Sequence, residues 1–304
     1  MHHHHGHDHH HHHSPAAMVG KAFVVGIVLN SLYVVVQLAA GIYTNSVALI
    51  TDAVHNLGDV ATLGLSYIGL KLAKVKPNAH YTYGFKKTTI LTALINSVIL
   101  LIAIGILGYE SVTRLGHPEP IQGLPVALVA GLGIIVNAGS ALFFFKHKDG
   151  ELNAKGAYLH LLSDAMVSMG VVVTGIIVNY TKWYWLDAAV SVVILVVILF
   201  STWSLLVDSL RLSLDGVPRD VDTEAIEKLI LEVKGVSKLH HTHIWAMSTT
   251  ENALTAHVIM DESLGFDEKM KVVHEIKHQL QHNNIMHATI EIESEAMPCH
   301  DEEC

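Results

Sequence analysis

Two short stretches of this 304-residue chain have the residue types and spacing for metal chemistry. Thr51-Asp52-Ala53-Val54-His55-Asn56-Leu57-Gly58-Asp59 and Leu159-His160-Leu161-Leu162-Ser163-Asp164 each place an aspartate four residues after a histidine. On a helix, positions i and i+4 share a face, so each stretch presents an imidazole beside a carboxylate. Both stretches lie in long apolar segments. Ionisable groups at membrane depth are costly, face the bundle interior and mark functional sites. Together the pairs supply two nitrogens and two oxygens, a donor set suited to tetrahedral Zn²⁺. The expected role of His55, Asp59, His160 and Asp164 is to carry a divalent metal ion across a bilayer. Zinc binds deprotonated ligands, so metal and protons compete for the same atoms, and alternating exposure would couple their opposite fluxes. Asp52, one turn before His55 on a similar face, is expected behind the ligands as an outer partner. Asn30, Gln37, Asn96 and Asn137 read first as ordinary interhelical hydrogen-bonding groups and second as residues lining a path.

These residues need spanning helices to hold them. With 51% hydrophobic and 15% charged residues and a mean hydropathy of +0.40, the chain is too apolar for an ordinary soluble protein of its size. A hydrocarbon core about 30 Å thick takes roughly 20 helical residues to cross. Six stretches qualify: 18–42, 46–72, 88–114, 124–146, 153–180 and 184–210. Lys21 precedes the first, Lys71, Lys74, Lys76, Lys86 and Lys87 surround the second connection, and Lys146, Lys148 and Lys155 surround the fourth. The odd connections offer only Arg114 and Lys182, so the positive-inside rule sets both termini and the even connections in the cytoplasm. The second and fifth segments then run antiparallel, which puts His55 level with Asp164 and Asp59 level with His160.

Near residue 213 the pattern changes to that of a small folded unit. A helix is expected to start in Asp220-Val221-Asp222-Thr223 and run to Lys234, with apolar Ile226, Leu229, Ile230 and Val233 and a stop at Gly235. Strands are expected at Lys238–Met247, Ala253–Met260 and Met286–Glu293, and an amphipathic helix at Phe266–His282 with its core face on Met270, Val273, Ile276 and Leu280. The order αββαβ implies helices packed on one face of a sheet. Strand alternation would turn His241 and His243 away from His240. His274-Glu275-Ile276-Lys277-His278 matches the five-residue pattern of zinc peptidases. Lys277 and the small size of the unit, with little room for a substrate cleft, argue instead for a solvated helix flank. No phosphate-binding loop of the Gly-x₄-Gly-Lys-Ser/Thr type is present, so nothing suggests ATP-driven pumping, and nothing suggests nucleic-acid binding. Residues 2–13 are nearly all histidine and read either as a purification tag or as a metal-collecting tail. Cys299 and Cys304, in an acidic tail, are too few and too terminal for a disulfide framework. In a reducing compartment their thiolates would favour zinc.

The histidine–aspartate spacing in the second and fifth segments, with Ser46-Val47-Ala48-Leu49, Tyr158-Leu159-His160 and Leu214-Asp215-Gly216-Val217-Pro218, resembles the cation diffusion facilitator family of zinc transporters over residues 18–293. The resemblance implies a homodimer in the bacterial inner membrane that exports Zn²⁺, with Cd²⁺ and Co²⁺ as further cargo, in exchange for protons by alternating access. It also implies a polytopic α-helical membrane protein of six transmembrane helices with a C-terminal cytoplasmic α/β ferredoxin-like (αββαβ) domain. The divisions are a histidine-rich tail at 1–17, a membrane domain at 18–212, a cytoplasmic domain at 213–294 and the tail at 295–304. By similarity, His240, His257, His287 and Glu293 would bind regulatory metal in the cytoplasmic domain, with Cys299 and Cys304 as the next candidates. The metal site that some relatives hold in the second connection is not expected, since His80 stands there without a nearby acid. Two other readings follow from the residues: a membrane-anchored metal sensor, or a zinc metallopeptidase acting through His274 and His278.

Overall fold

The computed structural model describes residues 15–145 and 152–294. Six long helices come first: α1 (Pro15–Thr44), α2 (Val47–Ala73), α3 (Thr88–Gly116), α4 (Gly123–Phe145), α5 (Leu152–Thr181) and α6 (Trp185–Ser213). Among the described residues, α3, α4, α5 and α6 contain segments long and apolar enough to cross a membrane. Of α1, the part whose side chains are described, Val28–Thr44, is apolar as well. α2 is the polar member of the set, carrying Asp52, His55, Asn56 and Asp59 within three turns. The polyhistidine run, His147 and the tail with Cys299 and Cys304 lie outside the described residues.

The chain divides into two compact units, one formed by residues up to Ala61 with Ile102–Phe200, the other by Thr62–Leu101 with the residues from Ser201 onward. In the first unit, α4 and α5 are in close contact because glycines remove the intervening side chains. A Cβ on Gly175 would lie 2.8 Å from the Ala127 nitrogen, and one on Gly133 would lie 3.1 Å from Ser168 Oγ. Side chains this small let helix backbones approach closely, which is the usual way helices associate without a hydrophobic drive. α1 joins α2 through a single tight turn at Asn45, which adopts a left-handed φ of 58°. Arg114 on α3 fastens that turn, donating to the Asn45 carbonyl at 2.7 Å and to its side-chain oxygen at 2.9 Å.

The second unit contains the α/β fold. Its elements are α7 (Thr223–Leu231), β1 (Val236–Ala246), β2 (Asn252–Met260), α8 (Phe266–His282) and β3 (Ile285–Glu293). β1 pairs antiparallel with β2, and β2 pairs parallel with β3, in the order β1-β2-β3. α7 starts where Asp222 accepts a hydrogen bond from Ala225 N, and it ends three residues short of the expected Lys234. α8 has the expected bounds, but Met270 is exposed, leaving Val273, Ile276 and Leu280 as its buried stripe. Those three, with Ile226 and Ile230 of α7, pack on Leu254, Ala256, Val258 and Met260 of β2. Alternate residues of a strand face opposite ways, so Thr255 and His257 point to the sheet face away from the helices.

Candidate metal centres

α2 and α5 bring the two histidine–aspartate pairs together. His55 Nε2 lies 3.4 Å from Asp164 Oδ1, and His160 Nε2 lies 3.3 Å from Asp59 Oδ2. Within each helix the pairs are looser, at 4.0 Å for His55–Asp59 and 3.6 Å for His160–Asp164. Each imidazole is therefore closer to the carboxylate of the other helix than to its own, as antiparallel packing requires. The rings stand 6.3 Å apart between centroids and nearly perpendicular. Asp164 is buried, His55 mostly so, while Asp59 and His160 are partly accessible.

The distances have a simple geometric meaning. Four ligands at about 2.0–2.1 Å from a tetrahedral zinc ion stand about 3.3–3.4 Å from one another. The His55–Asp164 and His160–Asp59 separations have that value, while His160–Asp164 at 3.6 Å and His55–Asp59 at 4.0 Å are wider, and Asp164 meets the two histidines through different oxygens. His55, Asp59 and Asp164 offer atoms close enough together to hold one ion, with His160 beside them. Asp59 Oδ2 is buried, with His160 Nε2 at 3.3 Å and His55 Nε2 at 4.0 Å. Two imidazoles and two carboxylates converging in this way suit a divalent cation.

Asp52 is fully buried but touches none of these four. Its Oδ2 accepts from Gln37 Nε2 at 2.6 Å and from Ser168 Oγ at 3.2 Å, and Asn56 Nδ2 donates to Gln37 Oε1 at 3.1 Å. It ties α1, α2 and α5 together beside the site instead of supporting a ligand directly. Gln37 and Asn96, which donates to Thr62 at 2.6 Å, are the interhelical bonding groups expected of them. Asn137 is not: it is buried with neither amide atom bonded among the described residues.

The start of α2 is held by a carboxylate from another helix. Asp187, at the start of α6, accepts from Ser46 Oγ at 2.6 Å, Val47 N at 2.7 Å and Ala48 N at 3.2 Å. Ser46 Oγ in turn accepts from Leu49 N. A carboxylate thus satisfies the orphan amides at the positive end of α2. One turn further, Thr51, Ser191 and Ser111 form a chain of hydroxyls at 2.7 Å spacings joining α2, α6 and α3. In the sequence, Asp187 reads as a complement to the dipole of its own helix, and nothing local reveals the other helix it caps.

The second cluster lies on the open face of the sheet. His240 Nε2 is 3.0 Å from Glu293 Oε2, and His257 Nδ1 is 2.6 Å from Glu293 Oε1. His240, His257 and Glu293 offer atoms close enough together to hold one ion. His257 also faces Glu291 at 3.6 Å. His287 does not join them. It pairs with Ala253, six residues before Glu293 on the same strand, and packs its ring against Tyr83 at 5.3 Å. His241, expected to diverge, instead converges. β1 is irregular between His240 and His243, and His241 adopts a left-handed φ of 51°. This bulge brings its ring within 5.0 Å of both His240 and His257. An extra residue in a ladder breaks strand alternation, and no alternation rule anticipates it. On α8, His274, Glu275 and His278 are exposed, Glu275 accepts from Gln279, and His278 meets His282. No third ligand joins them among the described residues.

Residues 23–212 match the family model described as the cation efflux transmembrane domain, and residues 218–295 match the one described as the cytoplasmic domain of cation efflux proteins. The chain is 36% identical to the metal cation efflux system protein CzcD of Cupriavidus metallidurans, covering 92% of this chain and 87% of that one. It is 31% identical to a cadmium, cobalt and zinc/H(+)-K(+) antiporter of Bacillus subtilis, covering 91% and 89%. It is 30% identical to the zinc transporter ZitB of Escherichia coli, covering 90% and 86%.

Proposed function

This chain belongs to the cation efflux family, the cation diffusion facilitators, and we propose on that premise that it exports Zn²⁺ from the cytoplasm in exchange for protons. It is a metal cation transporter and not an enzyme. The observation that carries the zinc reading is that His55, Asp59 and Asp164 offer atoms close enough together to hold one ion, with His160 3.3 Å from Asp59 at its edge. Two carboxylates balance a dication, and two imidazoles favour zinc over hard ions such as magnesium or calcium. The relatives' names extend the cargo to cadmium and cobalt.

Proton exchange follows from the same atoms. With metal absent, imidazoles and carboxylates in a low-dielectric interior hold protons, and zinc displaces them. All six long helices cross the bilayer in this reading, with a membrane domain at 18–212. Both termini lie in the cytoplasm. The α/β unit, 213–294, acts as a cytoplasmic metal-responsive domain of a homodimer, with His240, His257 and Glu293 as its ligands. Binding there neutralises an acid on the sheet face and favours a more compact dimer.

The test is metal flux into proteoliposomes with and without an imposed pH gradient, comparing the native protein with Asp164→Ala. Flux that ignores the gradient removes proton coupling, and flux that survives Asp164→Ala removes the transport site.

A further inference from the structure

Outside the four-ligand set, α4 presents polar atoms that nothing among the described residues satisfies. Asn137 is wholly buried, and neither Oδ1 nor Nδ2 has a hydrogen-bond partner among the described residues. Ser140 Oγ, one turn on, is in the same condition. A buried amide is costly unless bonded, and a bilayer offers no water to compensate. Two unsatisfied groups on one helix face signal something that binds there.

The register of α4 against α5 identifies what lies opposite. Gly123 meets the Gly175 backbone, Gly133 lies against Tyr33 of α1 and beside Ser168 Oγ of α5, and Ala141 packs with Leu161 and Tyr158. These contacts define one antiparallel pairing, and Asn137, one turn from both Gly133 and Ala141, falls opposite Asp164. Positions 133, 137 and 141 form a single stripe, so Asn137 faces the same way as its bracketing neighbours. Asp164 directs its two oxygens at His55 and His160.

We propose that Asn137 lends its amide oxygen to the ion held by His55, Asp59, His160 and Asp164, as a fifth donor that sets which metals the site accepts. The proposal rests on the reading of those four residues as the transport site. A neutral oxygen leaves the charge balance of the two carboxylates intact. It matters little to Zn²⁺, which is content with four ligands, and more to Co²⁺ and Cd²⁺, which take five or six readily.

The experiment is transport by full-length protein in proteoliposomes, read as the ratio of kcat/KM for Co²⁺ to that for Zn²⁺. Asn137→Leu fills a similar volume without a donor and is expected to lower the ratio at least tenfold, with Zn²⁺ transport falling less than threefold. Asn137→Asp keeps an oxygen and is expected to retain Co²⁺ transport. Should Asn137→Leu fail to assemble, the smaller Asn137→Ala carries the same expectation. A structural role for Asn137 would depress both metals together, so a ratio within twofold of the native one overturns the proposal. Asp164→Ala, run alongside, separates the two claims. Its survival overturns the site itself, whereas its loss beside an unchanged Asn137→Leu ratio overturns only the fifth donor.

Discussion

In the proposed transport site, His55, Asp59, His160 and Asp164 each supply a ligand atom. Removing a partner that merely orients a metal ligand costs roughly 10–100-fold in affinity or activity, and removing a ligand costs more. Asp59→Ala and Asp164→Ala are therefore expected to reduce metal flux to the background of empty vesicles. Glu275→Ala, on the exposed flank of α8, is expected to leave flux unchanged. The cluster on the sheet predicts a different phenotype. His240→Ala combined with His257→Ala should abolish zinc-dependent compaction, measured by solution scattering, while part of the transport remains. Transport lost as completely as in Asp59→Ala would exclude a regulatory role. Zinc affinity at either cluster should fall with falling pH in calorimetric titrations, since protons compete for the imidazoles and carboxylates.

Whole helices place those side chains, and α2 is the one with most imposed on it. It carries a polar load that its composition alone does not justify in a bilayer. Its N-terminus is held by a carboxylate from α6, and its next turn by hydroxyls from α6 and α3. Hydrogen bonds to a charged group contribute about 1.5–3 kcal/mol each when broken. Asp187→Ala leaves the first amides of α2 without that acceptor. It is expected to lower the thermal unfolding midpoint in detergent and to weaken transport, although the residue touches no metal ligand. An unchanged midpoint would mean that Ser46 and water suffice. In the α/β unit, Ile276 is fully enclosed between α7, α8 and β2. Ile276→Ala should cost about 2–5 kcal/mol, the usual penalty for emptying a packed core position.

For the molecule as a whole, the proposed topology makes a prediction that uses its own residues. Cys299 and Cys304 belong to the C-terminal tail, which the excess of lysine in the even connections assigns to the cytoplasm. With metal removed by a chelator, a membrane-impermeant thiol reagent should label the protein in inverted vesicles and fail to label it in intact cells. Labelling from outside would reverse the direction of transport as well as the topology.

Periodicity and chemistry made much of this legible in the sequence. The six long helices lie within a few residues of the expected segments, because apolar length is a local property that the bilayer scale translates directly. The order αββαβ was readable for the same reason, from alternation in the strands and a 3.6-residue stripe in α8. Spacing on α2 and α5, with the parity of crossings, was enough to pair His55 with Asp164 and His160 with Asp59. Three features were decided only by the tertiary structure. Asp187 caps another helix, 140 residues away in sequence. His241 turns toward His240 and His257 through a bulge that depends on its partner strand, while His287 is drawn to Tyr83. Asn137 is buried without a hydrogen-bond partner among the described residues. Each depends on which backbone lies opposite, and a one-dimensional pattern records what a residue prefers but not what it meets.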